Sequence, residues 1–294
     1  MEAASASCVA PHAAHVEAPR SRAHQADQAR GVGDAGDMMQ MRALYDLSRY
    51  LTSFNVFEWL VQAEANGATV IVFDIRGIRG DKWQRHIALK RFWSICHPAP
   101  ALIGLPCEVF GERIIGRTDA RDIAKPGGRP LVEFWNAGKR FKRFRSVKPP
   151  GRDRYTVTLR NTQRAPGRNS DDAVWREFAR EIGARVIPDY EDEPIHLHDR
   201  MALYAGAEMN FFCSNGPGIM CSMSEYPCMM FNTYHAKNSL ADDGIEEGGQ
   251  YPWMLANQRA IWEEASSDSL RRHFYHWREK GTFADDAYVP AAAA

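Results

Sequence analysis

A turn of small residues, Ser214-Asn215-Gly216-Pro217-Gly218, follows an apolar run of strand length that ends at Cys213. Its glycines would let the backbone approach a ligand closely, and Pro217 suits the first turn of a helix. The start of a helix offers unpaired backbone N–H groups and the positive end of the helix dipole, and both suit a phosphate. The turn is therefore a candidate phosphate site, although a purely structural turn uses the same residue types.

Two aspartates and two histidines also have side chains that could do chemistry. Asp46 and Asp74 each end a run of strand length, where a carboxylate can act as a base, contact a ligand or simply cap the following turn. His196 and His198 stand two residues apart, so their imidazoles would face one side of a strand and could share a zinc ion. No third metal ligand stands in register with them, and we predict no metal site.

A basic stretch covers residues 139–154, with Phe141 and Phe144 between its cations. The basic residues are Lys139, Arg140, Lys142, Arg143, Arg145, Lys148, Arg152 and Arg154. Such a stretch can bind nucleic acid, but nothing else in the chain matches a nucleic-acid-binding module. We predict a solvated linker or a cationic wall that faces phosphates, with a domain boundary at Pro149-Pro150-Gly151.

The composition of the whole chain is that of a globular protein. The 294 residues include 37 basic and 37 acidic ones, so the formal net charge of zero does not favour nucleic acid or a membrane surface as partner. No apolar run approaches the roughly 20 residues that span a bilayer. The six cysteines are scattered without a C-x-x-C pair, which favours reduced thiols in a cytoplasmic protein. We predict disordered tails at 1–38 and 281–294.

The elements of the first half predict a parallel sheet. Residues 42–46 have the pattern of a short strand, and apolar residues then recur at helical spacing from Phe54 to Ala65, with Ser53 as N-cap and Asn66-Gly67 as the stop. A continuous apolar run at 68–74 is typical of a buried strand. This β-α-β order implies a right-handed crossover and a parallel sheet. A helix at 83–94 and a strand at 107–111 follow.

The second half alternates strands and helices more regularly. The predicted strands are 155–160, 184–188, 208–213 and 228–231, and the predicted helices between them are 170–182, 198–204 and 219–225. Two further helices are predicted at Trp253–Trp262 and Ser267–Trp277. The chain is therefore predicted to be an α/β protein with two Rossmann-like, doubly wound parallel-sheet halves, a small one at 41–148 and a larger one at 152–280.

The second half of the sequence resembles bacterial glycosyltransferases of the two-Rossmann-domain (GT-B) type. Nearest are the heptosyltransferase and fucosyltransferase-like proteins of surface polysaccharide synthesis. The residues that carry the resemblance are Val157 to Asn161, the loop Arg164 to Asn169, and Ala207 to Pro227 with its Ser-Asn-Gly-Pro turn. Tyr45-Asp46-Leu47 and Phe57 to Ala65 look like the amino-terminal start of the same proteins. The resemblance covers 41–280 in outline and 155–231 with more specificity.

The resemblance implies a nucleotide-sugar donor in the second half, a glycan or lipid-linked acceptor against the first, and transfer without metal or cofactor. Arginines and backbone N–H groups would stabilise the departing nucleoside diphosphate. The implied donor-binding residues are Arg160, Asn161, Arg164, Arg168, Ser214, Asn215, Gly216, Pro217 and Gly218, with Asp199 or Glu225 on a ribose hydroxyl. Asp74 or Asp46 would act as the catalytic base.

Two other functions remain open at this stage. One is a nucleotide-sugar epimerase of the same fold, which would form product from the donor alone. The other is a non-catalytic protein that binds an anionic polymer through the basic stretch 139–154. Basic and aromatic residues at 139–145 would also permit a peripheral location at the inner membrane.

Overall fold

The structure is a computed structural model that describes residues 41–50, 53–78, 82–111, 119–162, 169–231 and 240–285. These residues belong to one compact unit, 40–294. The predicted tail at 1–38 lies outside the described residues, as do residues 286–294 of the other predicted tail. Among the helices that the structure describes, none is both long and apolar enough to cross a membrane.

The amino-terminal part is a three-stranded parallel sheet. Its elements are β1 (Arg42–Asp46), α1 (Asn55–Ala65), β2 (Val70–Asp74), α2 (Lys82–Arg91) and β3 (Cys107–Phe110), and the strand order is β1-β2-β3. β2 is buried along its whole length, as expected for a β-branched run in the middle of a parallel sheet. A π-helical turn at Phe92–Cys96 and a 3-10 turn at Pro100–Ile103 lead from α2 towards β3. The predicted β-α-β unit is confirmed.

The carboxyl-terminal end of α1 agrees with the prediction from the sequence, whereas its amino-terminal end does not. The prediction that Ser53 occupies the N-cap position is wrong, because Phe54 occupies it. The hydroxyl of Ser53 nevertheless accepts the backbone N–H of Asn55 at 3.4 Å and donates to Oδ1 of Asn55 at 2.7 Å. At the other end Asn66 and Gly67 stop the helix as predicted, with Gly67 at a φ of +94°, a conformation that glycine adopts readily.

The carboxyl-terminal part is a five-stranded parallel sheet of order β5-β4-β6-β7-β8. Its elements are β4 (Tyr155–Asn161), α4 (Asp172–Ile182), β5 (Arg185–Tyr190), α5 (Leu197–Gly206), β6 (Met209–Cys213), α6 (Gly216–Ser222), β7 (Cys228–Phe231), β8 (Gln258–Ala260) and α7 (Ser267–Lys280). Each predicted strand of this half is present. With two parallel sheets the protein is α/β, and its architecture is compatible with a Rossmann-like fold.

The predicted helix at 253–262 is wrong, because this segment contains β8. Backbone pairing of β8 with β7 outweighs the helical spacing of the tryptophans, and β8 becomes the edge strand of the sheet. The side chain of Gln258 fixes the strand in place, since its Nε2 donates to the carbonyls of Cys221, Ser224 and Tyr226 at 3.0–3.1 Å. The side chain of Gln258 therefore connects β8 to the end of α6.

The basic stretch 139–154 connects the two sheets, after helix α3 (Gly128–Asn136). The prediction of a solvated linker is wrong for its centre: Phe144 is fully buried, and its backbone N–H donates to the carbonyl of Met223. Arg143 donates to the carbonyls of Ser224 (2.8 Å) and Trp253 (2.5 Å). Cations of this stretch therefore bind backbone oxygens within the protein.

One hydrophobic core joins the two sheets. It includes Phe57 and Phe73 from the amino-terminal part and Phe212 and Met220 from one face of the carboxyl-terminal sheet. Phe144 lies among them, with its ring edge-on to that of Phe57 at 5.2 Å between centroids. A second core, around Trp175, covers the opposite face of the five-stranded sheet under α4 and α7. The relative position of the sheets is therefore held by apolar packing.

Glu58 is a buried carboxyl group in the first core. It lies on α1 and is 8% exposed, and its Oε2 accepts the backbone N–H of Gly127 at 2.7 Å, just before α3. Burial raises the pKa of Glu58 from about 4.5 to about 8; the hydrogen bond from Gly127 lowers it, and the nearby carboxyl of Asp243 raises it. Glu58 is therefore a carboxyl group that folding favours in its protonated form.

We expect the free energy of unfolding to fall as pH rises from about 4.5 to about 8. In that window the folded state holds a proton on Glu58 and the unfolded state does not, at a cost of up to about 1.4 kcal/mol per pH unit. Glu58→Gln should remove this part of the pH dependence, measured by urea denaturation at several pH values. Glu64→Gln on the same helix is the control. An unchanged pH dependence in Glu58→Gln would contradict the assignment.

Candidate functional site

A cleft of about 230 Å³ lies between the two sheets, at the carboxyl ends of β4, β5 and β6. This is the edge at which parallel sheets bind ligands. The start of α1 and the end of α2 form its other side. The lining residues are Ser53, Phe54, Asn55, Arg91, Arg160, Thr162, Asp189, Glu191, Asn215 and Gly216. Helix ends of the amino-terminal part and strand ends of the larger sheet therefore form one concave, mainly polar surface.

Strand register brings the polar residues of β4 and β5 together. Arg160 stands directly beside Asp189 in the parallel pair. Thr162 lies two residues after Arg160, and Glu191 lies two residues after Asp189. Because side chains alternate along an extended backbone, these two side chains point to the same side of the sheet as Arg160 and Asp189. The hydroxyl of Thr162 lies 3.4 Å from Oε2 of Glu191. The floor of the cleft thus carries a guanidinium, a hydroxyl and two carboxylates on adjacent strands.

Arg160 is held by its neighbours in this floor. Its backbone N–H donates to the hydroxyl of Ser170 (2.9 Å), and its Nη1 donates to Oδ1 of Asn169 (3.3 Å). Burial lowers the pKa of Arg160, and the groups at Cys213, Asp189 and Glu191 raise it. An arginine remains charged under such conditions. The side chain is therefore a partly desolvated, oriented cation, which interacts with an anion more strongly than an exposed one.

Arg91 provides a second cation from the opposite side of the cleft. It is the last residue of α2, and its Nη1 donates to the backbone carbonyl of Glu191 at 3.3 Å. This contact joins the amino-terminal part to the end of β5. Two arginines and two carboxylates therefore line the cleft, a mixture suited to a ligand that carries both anionic and hydroxyl groups.

The turn after β6 is shaped by packing. Asn215 caps α6, because its Oδ1 accepts the N–H of Gly218 at 2.8 Å. A Cβ atom at Gly216 would overlap the side chain of Phe54, and one at Gly218 would press against Met230 and Phe212. Pro217 lies in the first turn of α6, as predicted, although the helix begins at Gly216 and not at 219. Both glycines thus permit close approach within the protein.

The structure brings together only part of the predicted donor site. Arg160, Asn215 and Gly216 line the cleft, whereas Ser214, Pro217 and Gly218 are buried and Asn161 is exposed, none of these four being a lining residue. Glu225 precedes β7 and lies at the opposite, amino edge of the sheet, beside Arg145. Asp199 pairs with Lys148 at 2.5 Å and does not line the cleft. Arg164 and Arg168 lie outside the described residues.

The two predicted bases lie side by side at the ends of β1 and β2, but neither lines the cleft. Asp74 binds Arg76 through Oδ1 (2.9 Å to Nε) and Oδ2 (2.5 Å to Nη2), and this pairing lowers the pKa of Asp74. Oδ1 of Asp46 accepts the backbone N–H of Ser48 at 2.8 Å, as in a turn cap. Both carboxylates therefore have local structural partners.

The two histidines lie at a helix start and not on a strand. His196 caps α5 by accepting the N–H of His198 (3.3 Å), and Nε2 of His198 lies 3.0 Å from the carbonyl of Pro98. Within the described ranges no group of three His, Cys, Asp or Glu side chains could hold a metal ion. The described cysteines Cys96, Cys107, Cys213, Cys221 and Cys228 are free.

Several lining residues were not predicted as site residues. Asp189 and Glu191 follow an apolar strand in the same way as Arg160, so the rule that selected Arg160 could also have selected them. Arg91, Phe54 and Asn55 carry no such signal, because they reach the cleft only through the packing of the amino-terminal sheet against the other. Their role requires the tertiary structure.

Comparison of the chain with protein-family models, with curated proteins and with solved structures finds no match. The fold and the cleft therefore define the class: an α/β protein with two parallel sheets and a cleft of mixed charge between them. The cleft stands at the carboxyl edge of the larger sheet, where a ligand site is expected.

We expect Gly216→Ala to destabilise the protein by about 1–3 kcal/mol, because the new methyl group would collide with Phe54 in a packed core. Gly111→Ala is the matched control, since its Cβ would meet only Ile75, at an ordinary contact distance of 4.0 Å, and should change stability by about 0.5 kcal/mol or less. Urea denaturation of both variants measures the difference. Equal stability of the two would refute the close contact.

Proposed function

We propose that this protein is a glycosyltransferase that transfers a sugar from a nucleotide-activated donor, with the donor's diphosphate bound in the cleft between the sheets. The observation that carries the proposal is that Arg91 and Arg160 enter one cleft at the carboxyl ends of parallel strands, next to the capped turn at Asn215. Two guanidinium groups can bind a diphosphate through paired hydrogen bonds. The two-domain GT-B arrangement is part of this proposal.

The arginines would act mainly on the leaving group. When the bond between sugar and diphosphate breaks, negative charge grows on the departing phosphate oxygen. Fixed cations in a partly desolvated cleft stabilise that charge without a metal ion, because they are oriented before the reaction begins. The burial of Arg160 and the contact of its Nη1 with Oδ1 of Asn169 supply this orientation.

The carboxylates of the cleft would bind the hydroxyl groups of the donor. Asp189 and Glu191 offer acceptor oxygens on the strand beside Arg160. The volume of about 230 Å³ is smaller than the roughly 300–1,000 Å³ of typical small-molecule sites, so the cleft would hold the diphosphate and its neighbouring hydroxyls and leave the rest of the donor outside.

The acceptor side of the proposal depends on the amino-terminal sheet. A glycan or lipid-linked acceptor would approach along the ends of β1 and β2, where Asp46 and Asp74 are available to accept a proton from its hydroxyl. The Arg76 pairing keeps Asp74 ionised at neutral pH but makes it a weaker base. We therefore keep both aspartates as candidates for the base.

We expect Arg160→Ala to weaken nucleotide binding about 10- to 100-fold, since a charge-assisted phosphate contact contributes roughly 1.5–3 kcal/mol. The measurement is calorimetric titration with GDP, UDP, ADP and CMP, with and without magnesium. Arg154→Ala is the matched control, because Arg154 stands at the opposite end of β4 and pairs with Glu208 at 2.7 Å.

Two results would contradict the proposal. Either no nucleotide binds the unchanged protein, or Arg160→Ala binds as tightly as Arg154→Ala. Incubation with nucleotide sugars then separates the candidate enzymes: a product formed without acceptor favours an epimerase of the same fold. Salt-dependent binding of an anionic polymer without nucleotide binding favours the non-catalytic alternative at 139–154.

A further inference from the structure

Arg200 is the most deeply buried charged residue beside the cleft. It lies on α5 with 1% of its surface exposed. Its Nη1 donates to the hydroxyl of Tyr204 (3.1 Å), and its Nη2 donates to the carbonyl of Pro188 (3.1 Å) and to Oδ1 of Asp189 (3.3 Å). Its Nε is buried without a hydrogen-bond partner. The guanidinium is thus only partly satisfied in a place where burial disfavours a charge.

The contacts of Arg200 reach both sides of the cleft. Asp189 lines the cleft from β5, and Phe54 lines it from the start of α1. The guanidinium carbon lies 5.7 Å from the ring centroid of Phe54, within the range of a cation–π contact. Phe54 in turn packs directly against Gly216, which also lines the cleft. One side chain therefore touches a carboxylate on β5 and an aromatic ring at the start of α1.

A second link connects Arg200 to the strand of Arg160. The hydroxyl of Tyr204, which accepts from Arg200, lies 2.9 Å from the hydroxyl of Thr158 on β4. Thr158 and Tyr204 are fully buried. The network thus runs from β5 through α5 to β4, directly behind the floor of the cleft. A change at Arg200, which contacts Asp189 directly, would therefore alter the position of the Asp189 side chain.

We propose that Arg200 is a positioning residue of the cleft, which fixes the carboxylate of Asp189 on β5 and couples it to Phe54 at the start of α1. Arg200 does not line the cleft and acts through these two residues. An apolar side chain of similar volume would fill the same space without holding the carboxylate. The planar fork of arginine holds several acceptors in fixed directions, which lysine does not. Only the ligand-binding part of this inference rests on the proposed function.

The first test measures amide hydrogen exchange by mass spectrometry in Arg200→Met and Arg200→Lys, without any ligand. Peptides that contain residues 53–55 and 189–191 should exchange about tenfold faster or more in Arg200→Met, while those of β7 and α7 stay unchanged. Arg200→Lys should lie between, because lysine keeps a charge for Asp189. Arg143→Met is the matched control, since Arg143 also donates to backbone carbonyls from a partly buried position but lies outside the cleft.

Unchanged exchange at both cleft segments, or equal acceleration throughout the sheet, would overturn the proposal. Should Arg200→Met fail to fold, Arg200→Lys gives the same readout, because one ammonium group cannot reproduce the fork that meets Asp189, Pro188 and Tyr204.

The second test is calorimetric titration with GDP, UDP, ADP and CMP of Arg200→Lys, Asp189→Asn and the double variant. If Arg200 acts through Asp189, the double variant should bind no more weakly than the weaker single variant, whereas independent roles would multiply the losses and overturn the proposal. If the unchanged protein binds no nucleotide, the proposed function fails, and the exchange experiment still decides the role of Arg200.

Discussion

The cleft depends on the apolar contact that holds the two sheets together. Phe57 of α1 and Phe144 of the connecting segment are fully buried and meet ring edge to ring face in a core that both sheets share. Burial of one such side chain contributes roughly 1.5–3 kcal/mol, so several of these contacts together stabilise the packing of the two sheets against each other. Since one wall of the cleft comes from helices of the amino-terminal part and the other from strands of the larger sheet, its width is set by this packing.

The cations of the basic stretch 139–154 also help to hold the two sheets together. Local composition at 139–154 suggests a surface for phosphates, yet Arg143 donates to carbonyl groups at the end of α6 and in the segment before β8. These carbonyls belong to turns, where backbone acceptors have no ladder partner. A guanidinium with five donors can satisfy several of them at once. The same residue type thus completes backbone hydrogen bonding in one place and lines a cleft in another.

Most strands and the α/β class could be predicted from the sequence, because apolar periodicity reports burial directly. β2 and β6 are continuous apolar runs and are buried at every position. The sequence does not predict β8, because three residues are too few to show a period and the pairing of β8 with β7 depends on the tertiary structure. Arg160 could be predicted from its place at a strand end, whereas Arg91 could not, since only the shared core brings α2 to the cleft.

The glycines of the turn after β6 show the limit of pattern reasoning most clearly. A glycine lacks a Cβ atom, and this allows the backbone to approach either a ligand or a neighbouring side chain closely. The sequence alone does not show which of the two is present. At Gly216 the neighbour is Phe54, so the glycine that suggested a phosphate also determines where a wall of the cleft stands. Phe54 then meets the buried guanidinium of Arg200. Desolvating that cation costs several kcal/mol, and a well-packed apolar side chain in place of a buried ion pair is often as stable, even when hydrogen bonds such as those to Tyr204 and Pro188 accompany the pair. Stability alone is therefore a weak reason for an arginine at this position, and a role in fixing the geometry of the cleft is the stronger one.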